Sequence, residues 1–77
     1  MMKYYVRIIC ENEHTYKLLK EFAKDKGYDI TTFLISNEIF VLAEDFCVAS
    51  KIYDEIAKVD DMWSDIKILE MSIEDLS

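Results

Sequence analysis

The chain has 77 residues, of which 52% are hydrophobic, and its formal net charge at pH 7 is −7. A chain this short forms one domain, residues 1–77, whose core is too small to enclose a large catalytic cavity. Two cysteines argue against a disulfide framework, and a single glycine excludes the glycine-rich phosphate-binding loops. No apolar run reaches the roughly 18 residues of a membrane span, and the first residues show no signal-peptide pattern. We therefore expect a soluble, cytoplasmic protein.

The first predicted element is a β-strand over residues 3–10, in which side chains alternate between two faces. One face carries Tyr4, Val6, Ile8 and Cys10. The other face carries Lys3, Tyr5, Arg7 and Ile9. Alternation of β-branched and aromatic residues with a period of two is typical of a strand that buries one face.

An α-helix is predicted over residues 13–26. Asn12 is a favourable N-cap, because its side-chain oxygen can accept a hydrogen bond from a backbone N–H of the first turn. Apolar residues at helical spacing follow, namely Leu19, Phe22 and Ala23, with Tyr16 and Leu18 beside them. Gly27 marks the end of the helix, because glycine adopts the left-handed conformation without a steric clash.

The segment 28–43 is rich in β-branched and aromatic residues and predicts a β-hairpin. We place its turn at Asn37 and Glu38, since asparagine tolerates a positive φ. This turn would pair Ile35 with Phe40 and Leu34 with Val41. Both faces of the hairpin are apolar, so the pattern does not fix which face is the core.

A second helix is predicted from Phe46 to about Val59, capped by Glu44 and Asp45. Its inward stripe consists of Ala49, Ile52 and Ile56. A loop at Asp60 and Asp61 leads to a last strand over residues 65–73. The order β-α-β-β-α-β predicts a ferredoxin-like α+β fold, with both helices on one face of a four-stranded antiparallel sheet. The other face of the sheet is left open.

Acidic residues are concentrated in the second half of the chain. Residues 1–37 have a net charge of +1, and residues 38–77 have a net charge of −8. We predict a partner-binding acidic set made of Asp54, Glu55, Asp60, Asp61, Asp65 and Glu70. Negative charge repels nucleic-acid phosphates and attracts basic protein surfaces. The alternative, that these carboxylates only keep a small hydrophobic domain soluble, stays open.

The residues that could carry chemistry do not form a recognisable catalytic or metal motif. Cys10, His14 and Cys47 are too few and too irregularly spaced for zinc, and Cys10 lies on an apolar strand face that favours a buried free thiol. Asp60, Asp61 and Asp65 lack the spacing, the glycine and the final glutamate of an EF-hand loop. We expect no enzymatic activity, no cofactor and no metal.

In size, acidity and coarse fold the chain resembles small phage-encoded inhibitors of host defence enzymes, such as anti-CRISPR proteins and DNA-mimicking glycosylase inhibitors. The resemblance implies an inhibitor that occupies the basic, nucleic-acid-binding surface of its target, and it assigns no role to any residue. The favoured function is a non-enzymatic protein-binding module that docks its acidic set on a basic partner, without binding nucleic acid or membrane directly. The alternative is a small regulatory domain that forms a homodimer through its open sheet face. An enzyme ranks third. RNA binding by Tyr5 and Arg7 on the open face is opposed by the net charge.

Overall fold

The computed structural model describes residues 2–59 and 63–72. Its elements are β1 (Met2–Cys10), α1 (Glu13–Asp25), β2 (Ile30–Phe33), β3 (Glu38–Ala43), α2 (Phe46–Ala57) and β4 (Trp63–Ser72). The strands form one antiparallel sheet in the order β2-β3-β1-β4. The molecule has the predicted ferredoxin-like α+β fold. The predicted loop at Asp60 and Asp61, and the end of the last strand at Ile73, lie outside the described residues.

The core lies between the sheet and the two helices, and it shows which face of the hairpin is buried. Val6 lies opposite Val41 and Ile8 lies opposite Ile39, and all four side chains are fully buried. The helices contribute Tyr16, Leu19, Ala49, Ile52 and Ile56 to the same core region. Burial of a side chain of this size contributes roughly 1.5–3 kcal/mol before the entropic cost of ordering it.

The N-terminal caps of both helices follow the sequence prediction. The Asn12 side chain accepts a hydrogen bond from the Thr15 backbone N–H at 2.9 Å, and the Thr15 hydroxyl accepts one from the Asn12 N–H at 3.1 Å. The Asp45 carboxylate accepts a hydrogen bond from the Val48 N–H at 2.8 Å. These bonds satisfy N–H groups that have no partner inside the helix, which fixes where each helix begins.

Gly27 ends α1 as predicted, with φ of +78°. The Gly27 N–H donates to the Lys24 carbonyl at 3.0 Å, and the Tyr28 N–H donates to the Ala23 carbonyl at 3.1 Å. This pair of bonds is a Schellman motif, which satisfies the last carbonyl groups of the helix. The last turn of α2 is shorter than predicted, because the helix ends at Ala57 and not near Val59.

The predicted hairpin register is wrong. Phe33 pairs with Glu38 and Ile30 pairs with Val41, so the loop consists of residues 34–37. Asn37 does adopt a positive φ of 55°, but it closes a four-residue loop, not a two-residue turn. The shift keeps each residue of β3 on its own face while it places Ile30, in place of Leu34, beside Val41 at the core.

Candidate protein-binding surfaces

The described members of the acidic set lie on different elements and on both sides of the sheet. Asp54 and Glu55 are neighbours near the end of α2. Asp65 lies opposite Ile9, on the open face, whereas Glu70 lies opposite Tyr4, on the face that the helices cover. Asp60 and Asp61 lie outside the described residues. The structure therefore brings Asp54 and Glu55 together and separates Asp65 from Glu70.

Two carboxylates of the acidic set are already paired with lysines of the chain itself. Glu55 lies 3.6 Å from Lys26 Nζ and 3.8 Å from Lys58 Nζ, and Asp65 lies 3.9 Å from Lys67 Nζ. Exposed pairs of this kind contribute roughly 0–1 kcal/mol, so a partner's cations can replace these lysines at little cost. Within residues 2–59 and 63–72, the exposed Asp54 takes part in no ion pair.

Glu70 has a local structural partner. It raises the pKa of the Tyr4 phenol, first by accepting its hydrogen bond and then by its negative charge, and burial and Asp45 add to the effect. The Tyr4 ring also packs edge-to-face against exposed Phe46, with 6.0 Å between ring centroids. Glu70 therefore lies beside the Tyr4 phenol, close to where the Tyr4 ring meets Phe46 at the start of α2.

The open face carries an aromatic cluster of its own. Tyr5 packs edge-to-face on Phe40 with 6.4 Å between centroids, and Phe33 packs on the same ring at 5.5 Å. Tyr5 lies between Leu42 of β3 and Leu69 of β4 and is only 3% exposed. Phe40, which contacts the rings of Tyr5 and Phe33, is 8% exposed. Tyr5 is thus too buried to stack on a nucleic-acid base, which further weakens the RNA-binding reading.

The most exposed apolar surface among the described residues is the hairpin tip, which we define as Phe33, Leu34 and Ile35. Their exposed fractions are 37%, 54% and 102%. Sequence reasoning missed this surface because it placed Leu34 and Ile35 inside a paired strand. The available signal was three consecutive apolar residues directly before Ser36 and Asn37, since a polar turn pair after an apolar run also fits a loop that begins earlier.

The thiols and the histidine lie in separate environments. Cys10 is buried, and burial raises the pKa of its thiol to about 11. Cys47 is free and exposed at the start of α2, and His14 is exposed in the first turn of α1. In the part of the chain that the structure describes, no three potential metal-ligating side chains lie together.

Comparison with known proteins identifies no relative of this chain. No protein-family model, no curated protein and no solved structure matches the chain. Over the described ranges, no helix combines the length and the apolar character needed to cross a bilayer.

Proposed function

We propose that this chain is a non-enzymatic protein-binding module that docks through its hairpin tip and is directed by its negative charge to a basic partner. The observation that carries the proposal is the full exposure of Ile35 beside the exposed Leu34. Burying one such side chain contributes roughly 1.5–3 kcal/mol of favourable free energy, and in the free protein these side chains remain exposed to water. An apolar groove on a partner recovers this free energy.

Hydrogen bonds connect the loop of the hairpin tip to β1 and to β3. The Asn37 carbonyl accepts a hydrogen bond from the Cys10 N–H at 2.9 Å, and the Asn37 N–H donates to the Leu34 carbonyl at 3.2 Å. The Ser36 hydroxyl donates to the Glu38 carboxylate at 2.6 Å. A loop that is ordered before binding loses less conformational entropy on binding, which favours its use as a docking element.

The negative charge of the molecule indicates that the partner has a basic surface. A net charge of −7 accelerates encounters with basic surfaces and slows encounters with acidic ones. Extended basic surfaces are typical of proteins that bind nucleic acid. We infer that the chain occupies such a surface and thereby acts as an inhibitor of a nucleic-acid-binding protein, with the acidic set contributing to its rate of association.

The experiment compares three immobilised proteins as baits in a lysate of the native cell. They are the wild type, the tip variant Leu34→Ser with Ile35→Ser, and the matched control Leu18→Ser. Leu18 is an exposed leucine on α1, 43% accessible, so its replacement also removes exposed apolar surface. The captured protein is identified by mass spectrometry, purified, and measured against each variant.

We expect the tip variant to bind the purified partner at least ten times more weakly than the wild type, while Leu18→Ser binds within a factor of two. Both variants should keep the circular dichroism spectrum of the wild type, because none of these side chains is in the core. Equal binding by the tip variant and the control would reject the hairpin tip as the docking surface.

Self-association is the second candidate, and the charges of the open face favour it. This face carries the basic residues Lys3, Arg7 and Lys67 against Glu38 and Asp65. Glu38 Oε2 accepts a hydrogen bond from Arg7 Nε at 2.9 Å, and Asp65 pairs with Lys67. Three basic against two acidic side chains lessen the repulsion that two copies of an acidic molecule would otherwise experience on this face.

Sedimentation velocity distinguishes this second candidate. A dimer through the open face should dissociate in Ile9→Glu, because Ile9 is half-exposed on that face. Tyr5→Glu is unsuitable as a probe, since burying a charge at this position would destabilise the fold itself. A wild type that sediments as a monomer at all concentrations would exclude the homodimer.

A further inference from the structure

A pocket of about 430 Å³ opens at the end of the sheet opposite the hairpin tip. It is lined by Gly27, Tyr28, Asp29, Leu42, Glu44, Val48 and Ile52. Its volume falls within the range of roughly 300–1,000 Å³ that is typical of pockets for small ligands. The segment before β2 and the end of β3 form its sides, whereas the hairpin tip joins the other ends of these strands. The pocket is therefore separate from the hairpin tip.

The walls of the pocket are mainly apolar. Tyr28 and Val48 are half-buried, and Ile52 is buried. Gly27 adds no side chain, and a Cβ atom built there would meet no atom within 4 Å, so the pocket is open on this side. The Asp29 carbonyl accepts a hydrogen bond from the Leu42 N–H at 2.9 Å, which fixes the Tyr28–Asp29 segment against β3.

The charged groups of the pocket have one sign. Asp29 and Glu44 are its only charged lining residues, both are exposed, and neither is in an ion pair within the described ranges. Lys26 is directed elsewhere, because its Nζ atom lies 3.6 Å from Glu55 and 5.5 Å from the centre of the Phe22 ring. The pocket therefore combines an apolar interior with a negative rim.

We propose that this pocket binds an arginine side chain of a partner protein. The apolar stem of arginine fits apolar walls, and its guanidinium group pairs with carboxylates and stacks on aromatic rings such as that of Tyr28. The ammonium group of lysine can pair with the carboxylates but has no planar group to stack on the Tyr28 ring, so we expect lysine to bind more weakly. This inference rests on the proposed function in one respect: the arginine belongs to the basic partner proposed above.

Tyr28 suits this role because it stays uncharged at neutral pH. Burial raises the pKa of its phenol, and the charge of Glu55 raises it further. The ring therefore adds a neutral aromatic wall, and its hydroxyl group remains able to donate a hydrogen bond.

The test titrates the isotope-labelled full chain with Nα-acetyl-arginine methylamide and follows the backbone amides by NMR. We expect shifts centred on the residues that line the pocket, with a Kd on the order of 1–10 mM for a single side chain. Nα-acetyl-citrulline methylamide, which has the same shape and no charge, should bind at least five times more weakly. Equal binding of the two probes, or shifts spread evenly over the carboxylates of the molecule, would overturn the proposal.

Two sets of variants complete the test. Asp29→Asn with Glu44→Gln should weaken arginine binding at least fivefold, whereas Glu21→Gln with Asp25→Asn, which changes the net charge equally on α1, should not. The tip variant should keep the arginine-induced shifts, because the hairpin tip lies at the other end of the strands. The two proposals therefore fail in different experiments. The docking function fails if the tip variant binds the purified partner as well as the control does. The pocket fails if the chain alone does not bind the arginine probe more tightly than the citrulline probe.

Discussion

At the end of α1, Gly27 adopts a φ of +78° that residues with a Cβ atom rarely adopt. We expect Gly27→Ala to lower the free energy of unfolding by roughly 1 kcal/mol. The cost comes from the backbone alone, because an added Cβ atom would meet no atom within 4 Å. Urea unfolding measures the change, and Asp25→Ala, at an exposed position of the same last turn, is the control. A change no larger than that of the control would contradict this account of the helix end.

The two thiols should react at very different rates. Burial raises the pKa of Cys10 to about 11, so about one thiol in a thousand is ionised at pH 8, and solvent hardly reaches it. Cys47 is exposed at the start of α2. We expect a thiol reagent to label one cysteine quickly and the second only after unfolding, and Cys47→Ser to abolish the fast phase. Two fast phases in the folded protein would show that Cys10 is accessible.

At the scale of elements, the helices could be predicted closely and the hairpin could not. The start of α1 depends on Asn12 and its end on Gly27, and both act through hydrogen bonds within a few residues along the chain. The register of β2 depends on which apolar residue meets Val41 of a neighbouring strand, and Leu34 and Ile30 fit the alternation equally well. Local patterns therefore determine the caps, whereas packing across the sheet determines the register.

The loop of this hairpin should make stability depend on pH through Glu38. The Ser36 hydrogen bond lowers the pKa of Glu38 below its usual value of 4.5, burial opposes this, and Arg7 lowers it again by its hydrogen bond and its charge. A carboxyl group whose pKa falls on folding stabilises the protein above its unfolded-state pKa and loses this contribution as pH falls through the folded-state value.

Glu38→Gln should therefore be less stable than the wild type at pH 7, and the difference in the free energy of unfolding should disappear towards pH 3. Ser36→Ala, which removes the largest of the causes that lower the pKa, should reproduce part of this effect. Urea unfolding between pH 3 and pH 7 measures both variants. A difference between Glu38→Gln and the wild type that stays constant over this range would exclude the Glu38 contacts as its origin.

At the scale of the whole molecule, the sign of the charge could be predicted from the sequence, but only part of its arrangement could. Composition alone shows that residues 38–77 carry a net charge of −8. The strand predicted over residues 65–73 already implies that Asp65 and Glu70, five residues apart, face opposite sides of the sheet, as the register of β4 shows. The ion pair between Lys26 at the end of α1 and Glu55 of α2 could not be predicted, because it depends on how the folded chain brings the two helices together. The hairpin tip escaped prediction for a related reason, since its exposure follows from the register of β2 with β3.

The last prediction concerns the rate at which the chain meets its basic partner. Exposed charges are screened beyond about 8 Å at physiological ionic strength, so the association rate should fall markedly as salt rises, while dissociation changes little. Asp54→Asn with Asp60→Asn and Asp61→Asn should slow association further. A control that neutralises Glu13, Glu21 and Asp25 on α1 changes the net charge by the same amount in the half of the chain that is not acidic. Stopped-flow or surface-binding kinetics over a salt series measures the association rates of both triple variants.

If the two triple variants slow association equally, the total charge of the molecule determines the association rate and the acidic set contributes no more than other carboxylates. If neither variant changes the rate, the carboxylates serve solubility, and the hairpin tip must find its partner without electrostatic steering.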